Sequence, residues 1–555
     1  MHATMQQATL SLNHFLDRAG RLFPRTEIVS RLPDKTYRRH TYGEYYRRTR
    51  ALASALLAAG LRKGDRVATL CWNHHAHLEC YLGIPAAGGV MHTLNLRLSP
   101  DEIGWIAGHA ADRFLIIDDI LLPLYQQFAH LHRFERVIVF PFSGAPVATR
   151  AGDPHAGDPA IDDYEQMLAR APEHFSYPPH AENDPVAMCY TSGTTGRPKG
   201  VVYSHRSTVL HSLVAALPDN GALSNNDVVF PVTPMFHANA WGVPYMALMV
   251  GAKLVFPGPH LHADDLLDQM QVDPPTLSLG VPTIWLTMIQ NHEAQPGRWK
   301  LPAGMRSLVG GSAVPEALIR AYAAHGILIK QAWGMTETSP MAAMSYRKSE
   351  LAGADADELF RRQAMQGVPV PLVDLRIVDD DGRECAWNNS EVGELQVRGP
   401  YITGSYHEVA RDPEKFTDDG WLRTGDVAAI DEYGYVRLSD RTKDLIKSGG
   451  EWISSVDLEN AIMAHPAVAE AAVIAVSHPK WAERPLACVV LKPGQSLTPA
   501  ALRDFLSPRF ARWQLPDAVE FIDAIPRTST GKFWKAKLRE RYAGWQWPEA
   551  GGAAV

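Results

Sequence analysis

Apolar and polar positions alternate in long blocks through the first two thirds of the chain. Short apolar runs that read as strands are followed by Ala/Leu-rich or Ala/Gly-rich stretches that read as helices. Thr41-Tyr42-Gly43-Glu44 has the spacing of a capping box, and it predicts a helix that stops at Gly60. Arg66-Val67-Ala68-Thr69-Leu70-Cys71 then predicts a strand, followed by a helical segment up to about Gly89. Phe114-Leu115-Ile116-Ile117 and Val137-Ile138-Val139-Phe140 continue the pattern. Such alternation implies mainly parallel sheets with helices on their faces.

Residues 143–159, rich in Gly, Pro, Ala and Asp, predict a surface loop. A second alternating block covers residues 228–370, with strands at Lys253-Leu254-Val255-Phe256 and Ser307-Leu308-Val309. From Val373 the texture changes to short strands with turns: Leu375-Arg376-Ile377-Val378, a turn at Asp381-Gly382, then the run from Gly393 to Gly399. After Asp440 come a charged segment, a helix, strands at 471–476 and 487–491, and a basic tail. The expected fold class is α/β. A large N-terminal domain, residues 1–439, holds parallel-type sheets flanked by helices plus a small β module at about 373–439, and a small α+β domain follows over 440–555.

Composition narrows the function classes. The 555 residues allow roughly three or four domain-sized units. The 46% apolar and 21% charged fractions are those of a soluble globular protein, and a net charge of -7 argues against a general nucleic-acid surface. Five scattered cysteines without a CxxC pair argue against a disulfide framework and a zinc site, and fit a reducing, cytoplasmic setting. The first residues lack the basic start and apolar stretch of a signal peptide. Residues 228–250 carry no Asp, Glu, Lys or Arg, but Pro231, Pro234, Pro244, His237 and Asn239 interrupt them, so they read as buried pocket wall rather than a membrane span.

Tyr190-Thr191-Ser192-Gly193-Thr194-Thr195-Gly196-Arg197-Pro198-Lys199-Gly200 carries the first chemistry. Small hydroxyls, bare backbone N–H groups and a terminal cation suit a polyphosphate, and strands are expected on both sides, at 186–190 and 201–203. It is not a Walker loop, because Pro198 precedes Lys199. Gln331-Ala332-Trp333-Gly334-Met335-Thr336-Glu337-Thr338 puts a carboxylate and an aromatic beside a glycine turn, and Glu337 could hold Mg²⁺. Trp421-Leu422-Arg423-Thr424-Gly425-Asp426 and the run from Asp440 to Gly450 add acids, bases and glycines. Pro526-Arg527-Thr528-Ser529-Thr530-Gly531-Lys532 sets a lysine on a tight turn.

These blocks, in this order, resemble the adenylate-forming superfamily of acyl-CoA synthetases, luciferases and adenylation domains. The stretch from Lys447 to Asn460 is most similar to bacterial medium- and long-chain fatty acyl-CoA synthetases. The resemblance implies that a fatty acid reacts with ATP to give acyl-adenylate and pyrophosphate, and that CoA then displaces AMP. An aryl or short-chain carboxylate ligase of the same superfamily stands as the alternative. A γ-phosphoryl-transferring kinase or ATPase is disfavoured by the absent Walker pattern and the presence of Lys532, and a non-catalytic relative by intact Glu337, Asp426 and Lys532.

Residue by residue, the resemblance implies Lys532 and His237 as catalytic, and Thr191 with Glu337 as magnesium ligands. The nucleotide set comprises Thr191, Ser192, Gly193, Thr194, Thr195, Gly196, Lys199, Gly310, Gly311, Ser312, Gln331, Ala332, Trp333, Gly334, Thr336, Asp426, Arg441, Lys443, Lys447 and Trp452. Trp333 stands where tyrosine usually stacks on adenine, and Ala332 replaces a common glycine. Asp426 would take the ribose hydroxyls. His237, Trp241 and Gly311 would line the acyl pocket, Ser448, Gly449 and Gly450 a CoA channel, and Asp440 would be the hinge on which the small domain moves. ATP, Mg²⁺ and CoA are the implied cofactors and co-substrates, with no nucleic acid, a homodimer as the assembly and peripheral membrane contact left open.

Overall fold

The computed structural model describes residues 3–152, 159–191, 197–441, 444–448, 451–528 and 531–547, the side chains of residues 440, 441, 451 and 452 excepted. Four sheets organise them. A seven-stranded sheet runs in the order Ala160–Asp163, Arg136–Phe140, Phe114–Asp118, Arg66–Leu70, Val90–Thr93, Pro185–Tyr190 and Gly200–Ser204. Its neighbours pair in parallel, apart from the last two, which form an antiparallel pair. Every residue of Phe114–Asp118 is buried. A strand covered on both faces has no polar side to show, which is why Phe114-Leu115-Ile116-Ile117 reads as a continuous apolar run before the closing Asp118.

A nine-stranded sheet holds six parallel strands at its centre: Leu328–Gly334, Arg306–Gly310, Leu277–Gly280, Val228–Pro231, Lys253–Phe256 and Glu27–Arg31. Antiparallel strands close both sides, with Tyr37–Thr41 beyond the last and Met341–Met344 then Val368–Pro369 beyond the first. The helix Tyr42–Ala58 starts as expected, with Thr41 Oγ1 accepting from the Glu44 N–H at 3.2 Å and Glu44 Oε2 accepting from the Thr41 N–H at 2.6 Å. The apolar stretch from Val228 divides into the strand Val228–Pro231, a short turn Ala238–Trp241 and the helix Val243–Val250. Among the described residues no helix is long and apolar enough to cross a membrane.

The expected β module is an antiparallel sheet of Asp374–Val378, Gly393–Arg398, Leu422–Ile430 and Val436–Arg441. The last sheet takes Glu451–Ile453, Ile446–Ser448, Ala482–Leu491, Val468–His478 and Ala518–Phe521. Two apolar clusters support it, and both draw only on residues from Ile446 onward. The five cysteines are unpaired and buried. The expected loop at 143–159 gives way at Ala160 to an edge strand, and residues 153–158 lie outside the described residues.

Candidate active site

The strands that matter end together. In open parallel sheets the carboxyl ends of the strands leave a crevice where ligands bind. Thr191 follows Pro185–Tyr190, His237 lies a few residues beyond Val228–Pro231, Gly311 follows Arg306–Gly310, and Glu337 lies just past Leu328–Gly334. One cavity of about 590 Å³ is lined by Thr191, Lys199, His237, Trp241, Gly310, Gly311, Ser312, Gln331, Ala332, Trp333, Gly334, Thr336, Glu337, Asp426 and Lys532. Segments more than three hundred positions apart thus meet on a single surface.

At the phosphate loop, Tyr190 pairs with Gly200 across the antiparallel strands. The Thr191 N–H donates to the Lys199 carbonyl at 3.0 Å, and the Lys199 N–H donates to Thr191 Oγ1 at 3.1 Å. This reciprocal pair closes the base of the loop. The expected phosphate-wrapping residues Ser192, Gly193, Thr194, Thr195 and Gly196 lie outside the described residues. Lys199 Nζ sits 4.9 Å from the centre of the Tyr406 ring, and the Tyr406 hydroxyl donates to Glu337 Oε1 at 2.7 Å. Burial, and then the Glu337 charge, push the Tyr406 phenol well above its ordinary pKa.

Glu337 lies in a tight turn, Thr336–Thr338, and is 6% exposed. Gly334 makes that turn feasible, since a Cβ there would fall 1.7 Å from the Pro340 carbonyl oxygen. Tyr203 donates to the Thr336 carbonyl at 2.7 Å and steadies the same turn. Thr191 and Glu337 offer a hydroxyl and a carboxylate to one cavity, the oxygen donors that Mg²⁺ takes. A carboxylate with one oxygen on a tyrosine keeps acceptor capacity on the other, so the pair fits a hard cation.

On the nucleoside side, Trp333 Nε1 donates to Asp426 Oδ2 at 3.0 Å. The Asp426 N–H donates to Thr424 Oγ1 at 3.0 Å, and that hydroxyl donates to the Leu395 carbonyl at 2.7 Å. Both Trp333 and Asp426 are buried at 7% exposure, so the carboxylate is aimed by its neighbours rather than by solvent. A Cβ on Gly310 would lie 2.6 Å from the Ala332 carbonyl oxygen but 3.6 Å from the Ala332 methyl. Position 310 is therefore held to glycine by the Ala332 carbonyl, while the Ala332 methyl leaves ordinary van der Waals room.

On the acid side, Ala238, Asn239, Ala240, Trp241 and Gly242 have φ of 42, 51, 48, 57 and 75°, a complete turn in the left-handed region. This turn carries Trp241 into the cavity wall. Cys189, from the strand before the phosphate loop, donates its S–H to Asn239 Oδ1 at 3.2 Å and helps hold it. Burial first, then the positive charges of Lys532 and Arg97, lower the His237 imidazole to about 3. His237 is consequently neutral at physiological pH.

Lys532 reaches in from the end of the chain. Its N–H donates to Thr528 Oγ1 at 3.2 Å and its carbonyl accepts from the Thr528 N–H at 2.8 Å. Lys532 Cε lies 2.9 Å from the place a Cβ on Gly311 would take. Two of the expected residues stand away from the cavity in this arrangement. Lys447 is exposed, away from the cavity, with its N–H donating to Glu483 Oε2 at 2.8 Å. Ser448 is likewise absent from the cavity wall, and its hydroxyl accepts from Arg484 Nη1 at 2.9 Å. The reason is positional: the strand Ile446–Ser448 is pinned within the last sheet, with Ser448 opposite Ala482. Lys443, Gly449 and Gly450, with the side chains of Asp440, Arg441 and Trp452, lie outside the described residues.

Sequence reasoning passed over Tyr406, Thr283 and Arg97. Tyr406 and Thr283 line the cavity, and Arg97 acts on His237 through its charge. None belongs to a run of chemically similar residues. The only trace was the polar cluster Thr403-Gly404-Ser405-Tyr406-His407, which reads as an ordinary loop.

Comparison with known proteins bears on this site. The family described as AMP-binding enzyme matches residues 16–407, and the AMP-binding enzyme C-terminal domain matches residues 457–532. A long-chain-fatty-acid–CoA ligase of Thermus thermophilus is 47% identical over 544 residues, 97% of this chain and 97% of that one. A 3-methylmercaptopropionyl-CoA ligase of Ruegeria lacuscaerulensis is 42% identical over 98% of this chain and 99% of its own. Among solved structures, the anthranilate CoA ligase AuaEII in complex with anthranoyl-AMP superimposes with a TM-score of 0.84 at 25% identity, covering 98% of this chain and 99% of that chain.

Proposed function

We propose, from the premise that the chain belongs to the AMP-binding enzyme family and is an AMP-forming acyl-CoA synthetase using ATP, Mg²⁺ and CoA, that its acid is a fatty acid of medium to long chain. The observation that carries this reading is the continuity of one cavity. Its polar wall of Thr191, Lys199, Glu337, Asp426 and Lys532 runs into an apolar wall that includes Ala215, Trp241, Met246, Leu308, Met341 and Met344. An acid whose carboxylate meets the polar part would have its tail in the apolar part, and each buried CH₂ contributes about 0.8 kcal/mol.

In the first half-reaction a carboxylate oxygen attacks the α-phosphorus of ATP, the bond to the bridging β-phosphate oxygen breaks, and pyrophosphate leaves. In the second, CoA, its thiol proton lost to solvent, attacks the acyl carbon as a thiolate, the acyl–phosphate C–O bond breaks, and AMP leaves. Mg²⁺, when held by Thr191 and Glu337, supplies positive charge to the phosphate oxygens. Lys532 brings an ammonium to the negative charge that gathers as anion meets polyanion. Neutral His237 can hydrogen-bond at the carboxylate without pairing it as an ion. Trp333 offers an aromatic face for adenine, and Asp426 two acceptors for the ribose diol.

The same reading divides the chain into a large domain, residues 1–439, and a small mobile domain, residues 440–555, turning at Asp440. The separate apolar clusters of the last sheet support that division. Lys532 serves adenylation, and the segment Ser448-Gly449-Gly450 replaces it for thioester formation. We place the enzyme in the cytoplasm, consistent with five unpaired buried thiols, and as a homodimer, which light scattering on the purified chain checks. Peripheral contact with membranes is a further part of this reading, checked by vesicle co-sedimentation.

Pyrophosphate release across a carboxylate panel tests the substrate. Saturated acids should gain roughly fourfold in kcat/KM per CH₂ until the pocket is full. The similarity to a 3-methylmercaptopropionyl-CoA ligase favours a second reading, a short-chain acid. Activity confined to that acid, to acetate or to benzoates would replace the fatty-acid assignment.

A further inference from the structure

Thr283 lies in the first turn of the helix Pro282–Ala294, just beyond the parallel strand Leu277–Gly280. Its hydroxyl donates to the Gly531 carbonyl at 3.1 Å, across 248 positions of sequence. Gly531 immediately precedes Lys532 and has φ of 86°. A Cβ on Gly531 would lie 3.5 Å from Val281 Cγ2 and 3.6 Å from Thr283 Oγ1, so Gly531 is seated against this helix start.

The turn is braced from within. Besides the two bonds between Thr528 and Lys532, the Gly531 N–H donates to the Thr528 carbonyl at 2.9 Å, and Arg527 Nη1 donates to the Gly531 carbonyl at 3.1 Å. These bonds shape the turn but do not attach it to the cavity. Thr283 supplies such an attachment from the wall, one residue away from the lysine. A hydrogen bond of this kind biases an equilibrium by its net worth only in the state that makes it.

We propose that Thr283 is a positioning residue for the first half-reaction, holding the Lys532 turn in its seat while the acyl-adenylate forms. The proposal rests on the reading of the chain as an acyl-CoA synthetase in which Lys532 serves adenylation. Its logic is a bias between two stances. With the hydroxyl, the docked turn is favoured. Without it, the turn keeps its shape but docks less often, and the contacts of the nucleotide with Trp333 and Asp426 are untouched.

The test uses the full-length chain, Thr283→Val, which keeps the shape and loses the donor, and Thr283→Ser, which keeps the donor. ATP–pyrophosphate exchange with dodecanoate reports adenylation, and thioester formation from supplied dodecanoyl-adenylate and CoA reports the second half. Thr283→Val should slow the exchange by about three- to tenfold with unchanged KM for ATP, and leave thioester formation unchanged or faster. Thr283→Ser should match the parent protein. Exchange undiminished in Thr283→Val, an equal fall in both halves, or a serine variant as slow as the valine one would overturn the proposal. A parent protein inert in exchange with every acid of the panel would instead overturn the functional reading beneath it.

Discussion

The indole N–H of Trp333 donates to Asp426 Oδ2 at 3.0 Å, which couples the aromatic face proposed for adenine to the carboxylate proposed for ribose. Phenylalanine would keep a flat face and remove the donor, leaving a buried carboxylate one partner short. Trp333→Phe is expected to raise the KM for ATP roughly tenfold in a pyrophosphate-release assay, the lower end of what a hydrogen bond to a charged group contributes.

Lys532→Ala removes the ammonium beside Gly311 without disturbing the hydrogen bond between Trp333 and Asp426. Acyl-adenylate formation should fall by about a hundredfold or more, the scale for losing one preorganised group at a developing charge. Thioester formation from supplied acyl-adenylate should persist. Parallel loss of both half-reactions would contradict the division of labour assigned to this residue.

Arg484 predicts the opposite split. Its guanidinium, 5% exposed, reaches Ser448 Oγ at 2.9 Å, the Leu515 carbonyl at 3.1 Å and both Asp517 oxygens at 2.6 and 2.7 Å. Lysine keeps the charge but lacks the planar fork that spans these partners at once. Arg484→Lys should raise the KM for CoA several-fold while ATP–pyrophosphate exchange stays within about twofold, because the strand carrying Ser448 loses its anchor.

Acidification should weaken the fold before the carboxylates titrate. Burial lowers His40 and His205 to about 4, and His77 and His211 to about 3, from an ordinary 6.5. Between these values the unfolded chain takes up protons that the folded chain refuses, so stability present above about pH 6.5 is lost as pH falls toward 4. Glu79 and Glu470, both pushed up by burial, act in the opposite direction, two groups against several. Thermal unfolding at pH 7.5 and 5.5 should show a clearly lower Tm at 5.5. His237, held at about 3, should contribute no acid limb to adenylation above pH 5.

The left-handed turn makes an unusual prediction for glycine. Ala240 has φ of 48°, where a Cβ costs about 1 kcal/mol or more, whereas glycine in an ordinary helix loses about that much relative to alanine. Ala240→Gly should therefore leave Tm unchanged or raised, while Ala51→Gly, within the right-handed helix Tyr42–Ala58, lowers it. Scanning calorimetry of the two variants decides the matter.

Much of this architecture was legible in the residue order because local rules and global burial agree. Leu254-Val255-Phe256 and Phe114-Leu115-Ile116-Ile117 read as unbroken apolar runs because every one of these residues is buried. The Thr41 cap and the loop from Thr191 to Lys199 carry their chemistry in adjacent letters. The left-handed turn was hidden, for its first four residues, Ala238-Asn239-Ala240-Trp241, include no glycine to advertise positive φ. Tyr406 and Thr283 were hidden for another reason: each matters only through a partner far away in sequence, Glu337 and Gly531. Lys447 and Ser448 show the limit of motif matching, which names residues by their letters, whereas this arrangement seats neither of them at the cavity.

Gly311 combines a φ of 85° with a vacant side that Lys532 Cε fills. A methyl group there would act as a wedge, contesting the space with the incoming ammonium and leaving the ammonium's own chemistry intact. Under the proposed division of labour, position 311 would be a tuning point for timing: how long the enzyme dwells on making the mixed anhydride, relative to how soon it hands that anhydride to the thiol.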